Sequence, residues 1–284
     1  MRPSGSRRSV TDTVAGALRR ASERLSTSSD TARLDAELLM AHALGVSRSD
    51  LLLKHMRDAA PEGFLPLVER RAKKEPVAHI VGMQEFFGLD FTVTPDTLIP
   101  RGDSETVVLA ALEAAPDAAR VLDMGTGTGA LLLAFLHECQ QARGIGIDAS
   151  PGALAVAQVN AERLRLVGRA GFRLASWHEK GWTDELGRFD LVLCNPPYVE
   201  DDAQLEPDVR DYEPGTALFA GPEGLDDYRA IVPQLGKLLL PGGVAVLEIG
   251  ANQAESVSAI ARESGFAVEL RRDLGERPRA LILR

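Results

Sequence analysis

The period of the apolar positions changes along this chain, and the changes mark out its parts. From about Val10 to Lys74 the apolar residues recur at helical spacing: Val14, Leu18 and Leu25 on one face, then Leu34, Leu38 and Leu39, then Leu51 to Leu53, then Phe64, Leu67 and Val68. Breaks at Ser26–Asp30, Gly45–Ser49 and Pro61–Gly63 divide the stretch into helices, with Asp30 and Ser49 as expected N-caps. The spacing predicts a small helical bundle, preceded by a frayed tail over residues 1–8. Glu85 to Val93 then gives two short strand-like pieces around Gly88, followed by Pro95 and Leu98-Ile-Pro-Arg101. A helix is expected from about Asp103 to Ala115.

From Arg120 onward short apolar runs alternate with helical patterns. Strands are expected at 120–124, 144–148, 171–175, 189–194 and 243–249, with helices near 128–140, 151–166, 225–240 and 252–264. Phe266–Leu270 and Arg279–Leu283 are both strand-like, separated only by the turn residues Gly275 to Pro278, so the chain should end in an antiparallel hairpin. The expected fold class is α/β: a mostly parallel, doubly wound sheet with a C-terminal antiparallel hairpin, plus the N-terminal bundle. The expected order of the first five strands is third, second, first, fourth, fifth. The expected domains are 1–75 (helical), 76–102 (a hairpin-like linker) and 103–284 (α/β).

Charge and composition narrow the function classes. At 45% apolar and 26% charged the chain is ordinary for a soluble protein of 284 residues, and its net charge of −9 argues against a broad duplex-DNA contact. The two cysteines, Cys139 and Cys194, form no CxxC pair, and the five histidines are scattered, so no metal is expected. No apolar run approaches the ~18 residues of a membrane span. Ser6-Arg7-Arg8-Ser9 superficially resembles a twin-arginine signal, but polar Thr11, Asp12 and Thr13 follow it instead of an apolar region. A cytoplasmic location is expected, with no membrane and no direct nucleic-acid partner.

Two motifs carry the candidate chemistry. Val121-Leu-Asp-Met-Gly-Thr-Gly-Thr-Gly129 runs from a strand through a glycine turn into a helix, and Asp148 ends the next strand, where an acid can accept from ribose hydroxyls. Gly125, Thr126, Gly127, Thr128 and Gly129 are therefore candidate cofactor contacts together with Asp148. The spacing Gly125-x-Gly127-x-x-Ala130 suits NAD as well as S-adenosyl-L-methionine. The second motif, Asn195-Pro-Pro-Tyr198, follows the apolar run 190–194; two prolines force the chain out of the sheet at the edge where α/β folds bind ligands. Its amide, its carbonyls and its ring suit a planar NH2 group, and it would face a methyl group carried on the 125–129 loop. That corner, and the lack of an acid–base constellation for hydride transfer, favour S-adenosyl-L-methionine. Trp177, after the third strand, is the expected cover of the adenine. The plainer readings are a tight strand-to-helix turn, a Pro-Pro loop with a packed tyrosine and a half-buried loop tryptophan.

With those residues placed, the chain resembles the protein-(glutamine-N5) methyltransferases that modify peptide chain release factors. Leu34-Asp-Ala-Glu-Leu38, Phe86–Val93, Leu98–Arg101 with Glu105, Val121–Gly129, Asp211-Tyr-Glu-Pro214, Ala217–Ala220, Gly224-Leu225, Glu248-Ile-Gly250 and Arg277-Pro-Arg279 carry the likeness. The resemblance implies a methyltransferase fold, with the glutamine of the Gly-Gly-Gln motif in class I release factors as substrate. It also implies that the helical domain helps to hold that partner, and a monomer is expected. The Asn195 side-chain oxygen and the Pro196 carbonyl would accept the two amide hydrogens, Tyr198 would pack on the amide plane and Pro197 would fix the turn; Asn195 is counted among the cofactor contacts too. Departures from the family pattern are Gly102, where Pro is usual, Ser176, where Asp often precedes the aromatic residue, and a lengthened stretch from Trp177 to Phe189. Glu248 and Gln253 either line the site or satisfy the end of the fifth strand. The rival functions are methylation of a ribosomal-protein glutamine or of adenine N6, an NAD-dependent oxidoreductase, and a binding module that kept the fold.

Overall fold

The computed structural model describes residues 12–284, so the tail and the Ser6–Ser9 motif lie outside the described residues. The chain divides into two compact units, one of residues up to Gly82 joined by Pro207–Tyr212, the other of Met83–Glu206 with Glu213–Arg284.

The first unit is helical: Val14–Leu25, Ala32–Leu44, Arg48–Asp50, a π-turn at Leu51–His55, Phe64–Ala72 and Val77–Val81. Leu18, Leu25, Leu39, Met40 and Leu51 are fully buried among them. The buried stripe of the second helix is Ala32, Ala36, Leu39 and Met40, whereas Leu34 and Leu38 stay exposed at 40% and 36%. Small alanines let that helix approach its neighbours closely, which the leucine count alone does not reveal. Its two acids, Asp35 and Glu37, are buried instead. Asp35 bonds the Arg71 guanidinium at 2.6 Å and accepts from the Ser29 and Thr31 hydroxyls, and Glu37 is held by Arg33 and Arg48. The caps also shift from their expected places. Thr31, not Asp30, stands at the start of the second helix, and Ser47, not Ser49, caps the third by accepting from Asp50 N at 3.0 Å. Ser49 is already inside that helical turn, too late to reach a free amide. Residues 207–212 belong with this unit through Tyr212, whose hydroxyl donates to the Lys73 carbonyl, and Asp208, 3.7 Å from Arg71.

The second unit begins with a hairpin of β1 (Met83–Phe86) and β2 (Leu89–Thr92). Phe87 and Gly88 both have positive φ at its turn, the geometry of a tight two-residue connection. The main sheet holds β3 (Arg120–Met124), β4 (Arg143–Asp148), β5 (Ala170–Leu174), β6 (Phe189–Cys194), β7 (Leu239–Glu248), β8 (Val268–Arg272) and β9 (Pro278–Leu283). Their order is β5-β4-β3-β6-β7-β9-β8, parallel through β7 and antiparallel beyond it. The final strand enters between β7 and β8, so the terminal hairpin extends the sheet.

Alternation sends Val121, Leu191 and Leu193 to one face with Leu132 and Phe135, and Leu122, Met124, Val192 and Cys194 to the other with Tyr228 and Leu235. Both faces are thus covered, which is why the inner strands read as unbroken apolar runs. The helix expected over 225–240 is shorter and broken: Asp226–Ile231, a 3-10 turn at Val232–Gln234, then Leu235–Leu238, with β7 starting at once. Pro233 lacks the N–H that a continuous helix would need there. Among the described residues no helix is long and apolar enough to cross a membrane.

Candidate active site

The carboxyl ends of β4, β3 and β6 lie side by side at one edge of the sheet, and a cavity of about 560 Å³ opens there. That volume suits a small-molecule ligand. The glycine loop forms one wall. Gly125 N and Thr126 N both donate to the Ile147 carbonyl of β4 at 2.9 Å, which pins the loop to the neighbouring strand. Gly125 has φ +69°, and a Cβ there would stand 3.1 Å from the Trp177 ring, so both conformation and space demand glycine. Gly125, Thr126, Gly127 and Thr128 line the cavity; Gly129 sits behind it, where a Cβ would press on Leu133.

Two carboxylates flank this loop. Asp148 accepts from Gly127 N with one oxygen and from Ser150 N with the other, both at 2.9 Å, so it is fixed in place and still has lone pairs for a ligand. Asp123, inside β3, is 1% exposed; its Oδ2 accepts from the Thr126 hydroxyl at 2.6 Å and its Oδ1 has no partner in hydrogen-bonding geometry. Burial pushes the Asp123 carboxyl up to about 7, against the Thr126 bond and the nearby Leu132 amide. A cation reaching this wall would meet an acid that lacks a counter-charge.

Trp177 leans over the loop from the far side, beside Ser176 on the wall. Its indole N–H donates to Asp227 Oδ1 at 2.6 Å, and His178 Nε2 lies 3.0 Å from the same oxygen. The lengthened stretch after it folds back onto the sheet, burying Trp182 and Leu186.

Within Asn195–Tyr198, Asn195 and Pro197 front the cavity, whereas Pro196 and Tyr198 do not. The Asn195 side chain makes no hydrogen bond among the described residues. Tyr198 turns its hydroxyl to Glu248 Oε1 at 3.3 Å. Glu248 is 2% exposed, and burial pushes it up to about 7, opposed by Ser104, Arg279 and Tyr198. Gln253 donates to the Tyr198 and Gly224 carbonyls and accepts from Gly250 N, each at 3.0 Å. Glu248 and Gln253 therefore stand outside the cavity wall and brace the turn from behind.

Two blocks far apart in sequence, Leu98, Pro100 and Arg101 and then Pro214, Ala217 and Phe219, line the cavity together. Glu213 joins them: its buried carboxylate accepts from Ile99 N at 3.0 Å and forms an ion pair with Arg101. Gly102 begins the 3-10 turn Gly102–Ser104 that leads into helix Glu105–Ala114.

Comparison with known proteins agrees with this arrangement. The sequence profile of the PrmC N-terminal domain matches residues 16–82, and that of a methyltransferase domain matches residues 116–264. A release factor glutamine methyltransferase from Geobacter sulfurreducens is 45% identical over 244 residues, which span 84% of each chain. The chain belongs to the release factor glutamine methyltransferase family. Another member, from Agrobacterium fabrum, is 41% identical over 88% of this chain and 90% of its own. The fold is shared more widely: an O-methyltransferase family protein from Burkholderia thailandensis superposes with a TM-score of 0.51 at 15% identity, over 92% of this chain and 96% of that one.

Seen as a glutamine methyltransferase, the chain holds groups at its site that the sequence reading did not single out. Asp123 carried a local signal, an acid within an otherwise apolar strand. Asp227 carried none, because its partner lies 50 residues away, and Arg101 and Glu213 stood in blocks that carry the family likeness with no sign that they pair across 112 residues.

Proposed function

We propose that this protein transfers a methyl group from S-adenosyl-L-methionine to the side-chain nitrogen of the glutamine in the Gly-Gly-Gln motif of class I peptide chain release factors. The observation that carries the reading is the meeting of the glycine loop and Asn195 on one cavity, in a chain of this family. The wall fits the cofactor. It carries Asp96, Asp123, Asp148 and Asp227 against Arg101, which suits a ligand with an ammonium and a sulfonium, and Asp123 Oδ1 lacks a partner. Gly125 to Thr128 would cradle the cofactor, Asp148 would accept from its ribose and Trp177 would cover its adenine. Bound there, the cofactor supplies an electrophilic methyl group.

The chain's own part is to make a weak nucleophile usable. A glutamine amide nitrogen shares its lone pair with the carbonyl. Asn195 Oδ1 would accept one of its hydrogens from the cavity wall, and the Pro196 carbonyl, off that wall and beside Tyr198 on the acceptor side of the turn, would accept the other, which localises that lone pair and aims it along the displacement line. Pro197 fixes the turn. Tyr198, braced by Glu248 and Gln253, takes the flank of the amide on the acceptor side, away from the cofactor wall. No tuned base is needed, since an N-methylated amide releases its extra proton to water. The helical unit would give a second grip on so large a substrate.

Mass spectrometry of release factor incubated with the protein and S-adenosyl-L-methionine tests this. One added methyl group on the Gly-Gly-Gln glutamine is expected. An unmodified release factor, with methyl transfer to ribosomal protein or to nucleic acid instead, would overturn the substrate assignment.

A further inference from the structure

We propose that Asp227 reads the amino group of the cofactor's adenine, sharing its carboxylate between that group and the Trp177 indole. The proposal rests on the reading of the cavity as an S-adenosyl-L-methionine site.

Asp227 is the second residue of helix Asp226–Ile231, is 5% exposed and stands on the cavity wall. Both of its protein partners use one oxygen: Trp177 Nε1 at 2.6 Å and His178 Nε2 at 3.0 Å, each on Oδ1. Oδ2 receives no hydrogen bond among the described residues. At the cavity wall that second oxygen is free to accept from a ligand.

The cofactor has few donors to offer. Its ribose hydroxyls belong with Asp148, whose position is fixed by Gly127 N and Ser150 N. Its ammonium is matched by the charge of Asp123, the acid on the glycine-loop side, whose buried Oδ1 has no partner in hydrogen-bonding geometry. The adenine amino group is left, and it is planar. A purine stacked on Trp177 sets its amino edge alongside the indole N–H, so the two donors meet the two oxygens of one carboxylate. Asp227 would thereby hold the tryptophan and select the purine together.

Such a carboxylate would separate purines that differ only at position 6. S-Adenosylhomocysteine and S-inosylhomocysteine, titrated into the full-length protein by calorimetry, are the probes; the second has a carbonyl where the first has the amino group. The wild type should bind the adenosyl compound at least about tenfold more tightly, the effect of one charge-assisted hydrogen bond replaced by acceptor against acceptor. In Asp227→Asn the amide oxygen stays with Trp177 and the NH2 faces the ligand, so the preference should vanish or reverse. Asp227→Ala should flatten it. A wild type without preference overturns the proposal with no variant required, and so does a folded Asp227→Asn that keeps the wild-type preference. If the wild type binds neither compound, the cofactor reading itself falls.

Discussion

The two walls of the cavity are built on different plans. On the glycine-loop side the acids are tied down: Asp148 by two backbone amides, Asp227 by two ring nitrogens, and Asp123 and Asp96 by one hydroxyl each. On the Asn195 side the Asn195 side chain makes no hydrogen bond among the described residues, and the chain around it is braced from behind by Glu248 and Gln253. A preset wall suits a ligand whose shape never varies. A corner whose amide is unspent suits a group that must be gripped only as it reacts. Substitutions on the first wall should therefore appear in binding, and those in the corner in turnover.

Asn195→Ala gives the largest expected effect. Removing one preorganised polar partner of a reacting group costs about 10²–10³ in rate. Single-turnover methylation at saturating cofactor should show that loss with little change in cofactor affinity; near-normal turnover would make the motif a structural turn and erase the contrast between the walls.

Asp148→Ala should do the reverse. Loss of charge-assisted hydrogen bonds of this kind costs roughly 1.5–3 kcal/mol, about ten- to a hundredfold in affinity. Gly127 N and Ser150 N also lose their acceptor, so calorimetry should be paired with a melting curve. Unchanged binding in a folded variant would take Asp148 out of the site.

The effect of pH divides stability from binding. Asp123 and Glu248 have folded-state values of about 7, above the ordinary 3.8 and 4.5 of an unfolded chain. Between those limits the native state holds protons that the unfolded state has released, so the ligand-free protein should lose stability as pH rises from about 4 to about 7 and level off above. A cationic ligand at Asp123 needs the ionised form, so affinity should climb over the upper part of the same range, by up to about tenfold per unit below pH 7. Asp123→Asn should remove the pH dependence of affinity. Melting temperature and affinity that move in the same direction with pH would show that Asp123 does not meet the ligand's charge.

Gly102→Pro should have the smallest effect and change neither wall. Arg101 before it is extended (φ −102°, ψ 141°), as a residue preceding proline prefers, and a Cβ at Gly102 meets nothing within 4 Å. A stabilisation of about 0.4–1 kcal/mol is expected, or a melting point higher by ~1–4 °C. A large loss of activity would mean that the glycine is used for motion of the segment between Arg101 and Ser104, both on the cavity wall.

Much of the unit that bears the site was written in local pattern. Apolar runs set β3, β4 and β6, alternation with helices set their parallel order, and two prolines set the corner at Asn195, because each depends on residues within a few positions of one another. The N-caps and the buried stripe of the helix Ala32–Leu44 were misplaced because neighbours outside that helix decide which of its faces is covered. The roles of Glu248 and Gln253, left open by sequence, became bracing once Tyr198 was seen against them.

By itself the sequence determined the strands, the glycine loop, Asp148 and the Asn195 turn, all products of short-range sterics and periodicity. Only the tertiary structure decided that Asp227 would hold Trp177, that Glu213 would pair with Arg101 and that Asp123 and Glu248 would be acids without solvent. The physical reason is that a carboxylate's charge and partners depend on what surrounds it in space, and those surroundings come from segments that the chain brings together only by folding.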